Sequence, residues 1–308
     1  METLAQFDFS DLIIGDDDSY FKNLTGHNCL VSTFEFLNTE INCLRQKLKE
    51  KEKKEFLLIH GGVQYRTARM NTVAGVFFVL RKGAINILPL QKIGIPGSII
   101  NYLLSPQRRH GLILISGKMG SGKTTTASSL VKARLELFGE YAIALEDPPE
   151  LPLQFQCNKK GKCFQIDISD QQMGQAISDT MRLAPDIIFL GELRSPSGVS
   201  QALKASVNGH LIIATIHGSG IIETFERVLG LAKAIDGDIA YSLFAEGIEC
   251  VLHQSRSPDA SALKIEFLCA GKGQGDPVRQ MIRAKTIHHL GSEIQSQKNK
   301  LFMENKRL

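Results

Sequence analysis

Residues 111–126, Gly-Leu-Ile-Leu-Ile-Ser-Gly-Lys-Met-Gly-Ser-Gly-Lys-Thr-Thr-Thr, decide the fold of this chain. Residues 112–115 form a short apolar run with β-branched members, which is typical of a buried parallel strand. The run leads into Gly117-x-x-x-x-Gly122-Lys123-Thr124, the complete spacing of a P-loop. Strand, glycine-rich loop and helix therefore follow one another as a P-loop requires. The helix is indicated by apolar residues at helical spacing, namely Ala127, Leu130, Val131 and Leu135.

Each part of this loop has a chemical reason. The glycines let backbone N–H groups close around phosphate oxygens, and the start of the following helix adds the positive end of its dipole. We expect Lys123 to reach the β- and γ-phosphates and the Thr124 hydroxyl to bind Mg²⁺. The sequence therefore predicts a site for a nucleoside triphosphate. The residues expected to hold it are Gly117, Lys118, Met119, Gly120, Ser121, Gly122, Lys123, Thr124 and Thr125.

Length and composition favour a chain with two compact units. The 308 residues exceed one average domain, and an apolar content of 43% is enough for ordinary cores. The net charge of +4 is spread along the sequence, which is too weak to indicate nucleic-acid binding by itself. No apolar stretch has the length of a membrane span, and the N-terminus lacks the pattern of a signal peptide. We therefore expect a cytoplasmic protein.

The six cysteines do not form a zinc pattern. Only Cys157 and Cys163 are close in sequence, and a four-ligand zinc site would need a second close pair. We interpret the two as the arms of a hairpin, either reduced or sensitive to oxidation.

The first third of the chain predicts a small α+β domain. Apolar residues at helical spacing between 37 and 48 indicate an amphipathic helix, and three strands are expected near 56–60, 63–70 and 74–81. Residues 83–110 contain several prolines and glycines and read as a linker with one helix at 98–104. We therefore expect an N-terminal domain over 1–95, a linker to about 110, and a second domain over 111–308.

Strand and helix patterns alternate after residue 111. Further strands are expected at 142–145, 187–190 and 211–214, with helices around 124–137, 170–182 and 196–207. That order predicts a parallel sheet covered on both faces, an α/β fold. Residues 222–300 look mostly helical, with one strand at 263–268.

Polar side chains stand at the ends of three of these strands. Glu146 and Asp147 follow one strand, Glu192 follows the next, and His217 follows the third. Ligands of open α/β sheets bind at the carboxyl edge of the strands, where these side chains would meet. An ATPase needs such an acidic group to hold Mg²⁺ or to position water. Each side chain also has a simpler interpretation, as a turn cap or an ordinary loop histidine.

Together these motifs resemble those of the secretion and pilus traffic ATPase family, the motors of type IV pili and of type II and type IV secretion. The Walker A motif is at 117–124, the acidic box Leu-Glu-Asp-Pro-Pro-Glu at 145–150, and the Walker B motif at 184–194. The histidine box is at 208–218. The residues that depart from the usual pattern are Lys118, Met119, Ala184, Ser195, Asn208 and Gly218. The resemblance covers nearly the whole chain.

The pilus retraction branch is the most similar. Ser10-Asp11-Leu12-Ile13 is similar to its N-terminal motif, and residues 277–283, Pro-Val-Arg-Gln-Met-Ile-Arg, are similar to its C-terminal motif. The resemblance implies a RecA-like core, a PAS-like N-terminal domain and a homo-hexamer. It also implies an inner-membrane platform protein as partner, and hence a peripheral position at the inner membrane.

The resemblance assigns further roles to the strand-end residues. It implies that Glu192 supports Mg²⁺ and its water, that Glu146 polarises the attacking water, and that His217 senses the γ-phosphate of ATP. Arginines of a neighbouring N-terminal domain would complete the site, and Arg66, Arg69 and Arg81 are the candidates.

Two alternatives stay open at this point. Type IV secretion or conjugation is the alternative within the family. A RecA-like nucleic-acid motor is the alternative outside it, and it predicts a basic, aromatic-bearing face. The chain has no tryptophan and five tyrosines, so we expect no stable nucleic-acid binding.

Overall fold

The computed structural model describes residues 3–83, 86–156, 160–257, 262–271, 273 and 275–305. Contacts between Cα atoms divide the chain into two compact units. The first contains Met1–Asn86 and Pro148–Pro152, and the second contains Ile87–Asp147 and Leu153–Leu308. The expected limits of the N-terminal domain at 95 and of the linker at 110 stay predictions, because contacts between Cα atoms do not show which residues act as a linker.

The first unit is a six-stranded antiparallel sheet covered by one helix. Its strands have the spatial order β3-β2-β1-β6-β5-β4. The apolar face of the helix is buried against the sheet, through Ile41, Leu44 and Leu48. The α+β prediction is confirmed, but three strands before residue 31 were not predicted. The elements are β1 (Asp11–Ile14), β2 (Ser19–Leu24), β3 (His27–Leu30), α1 (Asn38–Lys49), β4 (Glu55–His60), β5 (Val63–Thr72) and β6 (Gly75–Lys82).

The second unit begins with a helix and a run of alternating strands and helices. The prediction of a parallel α/β sheet is confirmed in this part. The elements are α2 (Gly97–Leu103), β7 (Gly111–Gly117), α3 (Lys123–Phe138), β8 (Tyr141–Glu146), α4 (Leu153–Gln156), β9 (Lys162–Asp167), α5 (Met173–Met181), β10 (Ile187–Leu190), α6 (Pro196–Val207) and β11 (Leu211–His217).

Its last third contains two strands rather than the single expected one. The seven strands of this sheet have the order β13-β12-β7-β11-β10-β8-β9. All neighbouring pairs are parallel except β12 with β13. The elements are α7 (Ile221–Asp236), α8 (Ile239–Gly247), β12 (Ile248–Arg256), β13 (Leu263–Cys269), α9 (Pro277–Arg283) and α10 (Leu290–Asn305).

A buried glutamate joins the segment before β7 to the rest of this unit. Glu249 on β12 is 5% exposed and forms ion pairs with Arg108 and with Arg279. Arg279 also donates hydrogen bonds to the carbonyls of Ala245 and Glu246 at the end of α8. Removing one member of a buried ion pair leaves an uncompensated charge, which costs about 3–5 kcal/mol. The first arginine of the 277–283 motif therefore has a structural role here.

The hairpin interpretation of Cys157 and Cys163 stays a prediction. Residues 153–156 form the helical turn α4, and Cys163 lies on β9, which pairs with β8 in parallel. Cys157 itself lies outside the described residues.

Within the parts of the chain that the structure describes, no helix has both the length and the apolar character needed to cross a membrane.

Candidate active site

The predicted site residues of the second unit meet at one edge of its sheet. Strands β7, β11, β10 and β8 are neighbours in that order and run parallel, so their carboxyl ends lie side by side. The P-loop follows β7, and His217 is the last residue of β11. Glu192 stands two residues beyond β10, and Glu146 is the last residue of β8. The topology alone therefore places three polar side chains beside the P-loop.

The loop between β7 and α3 has the backbone conformation that its glycines predict. Gly117, Gly120 and Gly122 have φ angles of 155°, 75° and 89°. A Cβ atom at Gly117 would lie 2.3 Å from the Gln254 carbonyl oxygen and 2.5 Å from the Ser121 Oγ. Any larger residue at Gly117 would therefore displace the loop.

The first turn of α3 is suited to an anion. The first backbone hydrogen bond into the helix comes from the Thr126 N–H to the Gly122 carbonyl. The N–H groups just before it have no partner within the helix, as at any helix start. Thr124 and Thr125 are half-buried in this first turn, whereas Lys118 and Met119 are exposed at the tip of the loop. The geometry suits a phosphate group.

Lys123, His217 and Glu192 form a chain of close contacts. The Lys123 Nζ donates a hydrogen bond to the Lys118 carbonyl at 3.1 Å and lies 3.4 Å from the His217 Nδ1. The His217 Nε2 is 2.9 Å from the Glu192 Oε1. Lys123 is 8% exposed, so its ammonium group is held within the loop. A phosphate placed on the loop would meet this lysine with the histidine and the glutamate beside it.

Glu192 has a second partner on its other oxygen. The Arg194 Nη2 donates a hydrogen bond to the Glu192 Oε2 at 2.5 Å, which raises the pKa of Arg194 above its ordinary value. The Glu192 side chain is 16% exposed. The hydrogen bond from Arg194 thus orients the carboxylate, and the His217 ring lies beside its other oxygen.

Glu146 is almost fully buried beside the strand that leads to Glu192. It is 1% exposed, and its Oε1 accepts a hydrogen bond from the Gln165 Nε2 at 2.8 Å. A Cβ at Gly191 would lie 2.9 Å from the Glu146 Cγ, so this glycine leaves room for the glutamate. The neighbouring Asp147 accepts a hydrogen bond from the Asp170 N–H.

Strand β12 makes contacts with β7 and the P-loop that the sequence did not predict. The Gln254 Nε2 donates a hydrogen bond of 2.6 Å to the Ser121 carbonyl in the P-loop, and His253 Nδ1 lies 3.0 Å from the Ser116 Oγ. Burial lowers the pKa of His253, so its ring is neutral at neutral pH. An apolar run ending in histidine, as in Cys-Val-Leu-His at 250–253, is the same signal that marked His217.

The three candidate arginines lie on two faces of the first unit's sheet. Arg66 and Arg81 are directly opposite each other on β5 and β6, so their side chains share a face. Arg69 is three residues from Arg66 along β5 and therefore points to the other face. It lines a cavity of about 190 Å³ with residues of α1, including Arg45 and Lys49. The spacing on the predicted strand 63–70 already separates Arg66 from Arg69, whereas the pairing of Arg66 with Arg81 needs the structure.

Both arginines on the shared face have carboxylate partners within their own unit. Arg81 donates to Asp11 at 2.8 Å and is 67% exposed. Arg66 lies 3.4 Å from Glu150 and 3.5 Å from Glu55 and is 43% exposed. The ion pairs of Arg66 join exposed groups and contribute little free energy, so this guanidinium can change partners. The pair of Arg81 is different, because its partner Asp11 is almost fully buried.

The site offers the donors that a nucleotide with Mg²⁺ requires. Mg²⁺ in nucleotide sites keeps several waters and uses one or two protein oxygens together with phosphate oxygens. Glu192 and the Thr124 hydroxyl provide such oxygens next to the loop that fits a phosphate. The residues present therefore fit a nucleotide–magnesium complex.

This fold and this site define a P-loop nucleotide-binding protein of the RecA-like class. A family model described as "Type II/IV secretion system protein" matches residues 24–255. The chain belongs to the type II/IV secretion system protein family.

Two curated relatives and one solved structure illustrate the similarity. A twitching motility protein of Neisseria gonorrhoeae is 27% identical over 76% of this chain, which spans 61% of that relative's length. The type IV pilus retractation ATPase PilT of Pseudomonas aeruginosa is 26% identical over 77% of this chain and 68% of its own length. The crystal structure of the pilus retraction motor PilT with bound ADP has a TM-score of 0.77 and 23% identity, over 95% of this chain and 87% of that one. This last likeness establishes a shared fold.

Proposed function

We propose that this protein is a Mg²⁺-dependent ATPase that works as a ring of six subunits and drives a type IV pilus, in the manner of a retraction motor. The observation that carries the proposal is the series of side-chain contacts from Lys123 to His217 and from His217 to Glu192. These contacts lie at a sheet edge that also holds the buried Glu146. Family membership and the names of the relatives support the pilus assignment. Secretion or conjugation is the alternative function of the same motor.

Phosphoryl transfer needs positioning and charge neutralisation more than covalent chemistry from the protein. Bound Mg²⁺ would neutralise charge on the phosphates. Lys123 would neutralise the β- and γ-phosphates, and Thr124 and Glu192 would hold the metal and its water. Glu146 would accept a proton from the attacking water, for which Gln165 fixes one carboxylate oxygen. His217, in contact with both Lys123 and Glu192, would respond to the loss of the γ-phosphate.

We assign the arginines that complete the site to Arg66 and Arg81 of a neighbouring subunit. They share a face and are exposed, whereas Arg69 faces the helix-covered side of its sheet. When a neighbour completes the active site, each subunit needs the next one for hydrolysis. The interfaces are therefore heterologous, and they close into a ring. The work would be delivered to a platform protein of the inner membrane, where the cytoplasmic motor is peripherally bound.

Mixing two inactive variants tests the shared site. Lys123→Ala removes the P-loop lysine, and the double variant Arg66→Ala with Arg81→Ala removes the arginines. In a mixed ring about a quarter of the interfaces combine an intact P-loop with intact arginines. We expect an equimolar mixture to recover up to about that fraction of wild-type ATP turnover, measured by phosphate release.

The control for this experiment is a mixture of Lys123→Ala with Glu146→Gln. Both changes affect the subunit that supplies the P-loop. No interface in the mixed ring then has both Lys123 and Glu146 intact in one site, and turnover should stay absent. If the arginine and lysine variants do not rescue each other although mass measurements show mixed rings, the trans-arginine assignment is wrong.

A further inference from the structure

The end of strand β12 packs against the P-loop. It runs parallel to β7, with His253 opposite Ser116, so that its last residues lie level with the loop. Gln254 is 1% exposed and donates to the Ser121 carbonyl at 2.6 Å. Its own carbonyl oxygen is the atom that a Cβ at Gly117 would strike. The end of β12 is therefore fixed against the loop.

The position of β12 in the sheet indicates which end of a nucleotide it meets. Lys123, His217 and Glu192 mark the γ-phosphate end, and the strands that carry the histidine and the glutamate lie on one side of β7. Strand β12 lies on the other side of β7. A nucleotide whose γ-phosphate points towards β11 and β10 extends its nucleoside in the opposite direction. The nucleoside end therefore lies towards β12.

Arg256 is the cation at this end of the strand. It is exposed, and a Cβ built on Gly122 would lie 3.5 Å from its Nη2 and 3.9 Å from its Nε. Gly122 is the residue immediately before α3, so this guanidinium stands at the rim of the phosphate loop. Among the described residues Arg256 forms no ion pair, in contrast to Arg66, Arg81, Arg108 and Arg194. A guanidinium without a carboxylate partner beside an anion site is available to a ligand.

We propose that Arg256 binds the nucleoside end of the nucleotide, at the ribose, from within the same subunit. This inference rests on the proposed nucleotide-binding function and adds to it a contact that the family motifs do not include. The arginine would contribute equally to the affinities for ATP and for ADP, because both nucleotides have the same nucleoside end. It would contribute little to the chemical step, which takes place at the other end of the phosphate chain.

The test compares Arg256→Gln with wild type in the full chain. We expect the affinities for ATP and ADP to fall by a similar factor of roughly tenfold, the size of a lost hydrogen bond to a charged group. Saturating turnover should stay within about twofold of wild type, so that KM rises while kcat does not change. Inorganic triphosphate, which has no nucleoside, should bind both proteins equally well, as measured by competition with a fluorescent ADP analogue.

Arg182→Gln is the matched control. Arg182 is also an exposed arginine of the second unit, but it precedes β10 and so lies at the opposite edge of the sheet. It should leave all three affinities unchanged. Arg256→Lys should restore part of the lost affinity, because it keeps the charge.

The outcomes separate this inference from the proposed function. If wild type itself binds neither ATP nor ADP, the proposed function fails. If wild type binds and Arg256→Gln binds both nucleotides equally well, only the role of Arg256 is wrong. An equal loss of affinity for inorganic triphosphate would also contradict it, since the arginine would then act on the phosphate chain at large.

Discussion

Glu146→Gln is expected to lower ATP turnover by about 10²–10⁴-fold, the usual contribution of a general base. The amide has nearly the same shape as the carboxylate but cannot accept a proton. It can still accept the hydrogen bond from Gln165, so the fold should not change. Nucleotide binding should therefore persist, and phosphate release and ADP binding should be measured on the same preparation.

Glu136→Gln is the matched control for this variant. Glu136 is an exposed glutamate on α3, and its replacement should leave turnover near the wild-type value. If Glu146→Gln kept more than about a tenth of wild-type turnover, Glu146 could not be the group that activates water.

Lys123→Ala should abolish turnover and also weaken nucleotide binding. The ammonium group is the cation held inside the loop, and its loss removes a charged hydrogen bond worth about 1.5–3 kcal/mol. This corresponds to a loss of ATP affinity of roughly 10–150-fold. Calorimetric titration with ATP measures the affinity, and phosphate release measures the turnover.

The exposed Lys160 provides the comparison for that variant. Lys160→Ala removes the same charge from the surface of the same unit and should change neither quantity. Intact turnover in Lys123→Ala would contradict the assignment of residues 117–124 as the loop that binds the phosphates of ATP.

The P-loop and the strand ends around it could be predicted because their signals are local. Each strand is a continuous apolar run followed by a polar residue, as in 187–190 before Glu192 and 211–216 before His217. Parallel order then brings these ends to one edge without further information. What the sequence could not show is which side chains make contact, such as His217 with both Lys123 and Glu192.

Strand β12 was missed because polar residues interrupt its apolar pattern. Glu249, His253 and Gln254 are all buried, and each finds its partner in a distant segment, at Arg108, Ser116 and Ser121. A buried polar residue is stable only with such partners, and they become visible only once the chain is folded. The short apolar run before His253 was therefore the local signal that this strand offered.

The first three strands were missed for a related reason. Asp11 begins β1 and is 3% exposed, although an aspartate usually lies at the surface. Burial alone would raise the pKa of Asp11, but hydrogen bonds from Arg81 and Ser10 hold it below the ordinary value. The partner Arg81 is 70 residues away in sequence. Long-range pairing of this kind overrides the local preference of aspartate for turns.

Ala184, which departs from the family motif, has an unusual backbone conformation. Its φ is 48°, in the left-handed region, where an alanine is strained and an aspartate is better tolerated. The family motif that residues 184–194 resemble has aspartate at this position, and alanine is less suited to the turn. The turn nevertheless leads into β10, and Asp186 accepts a hydrogen bond from the Tyr141 N–H at 2.8 Å.

The shared, ring-dependent site is the central claim, and one measurement tests it most directly. ATP turnover per subunit should be measured against protein concentration, together with molecular mass by light scattering, for the wild-type chain. We expect turnover per subunit to rise as the mass approaches that of six 34.0 kDa subunits, and to be absent in the monomer. Full turnover by a monomeric species would contradict the account, because every residue needed for hydrolysis would then lie within one subunit.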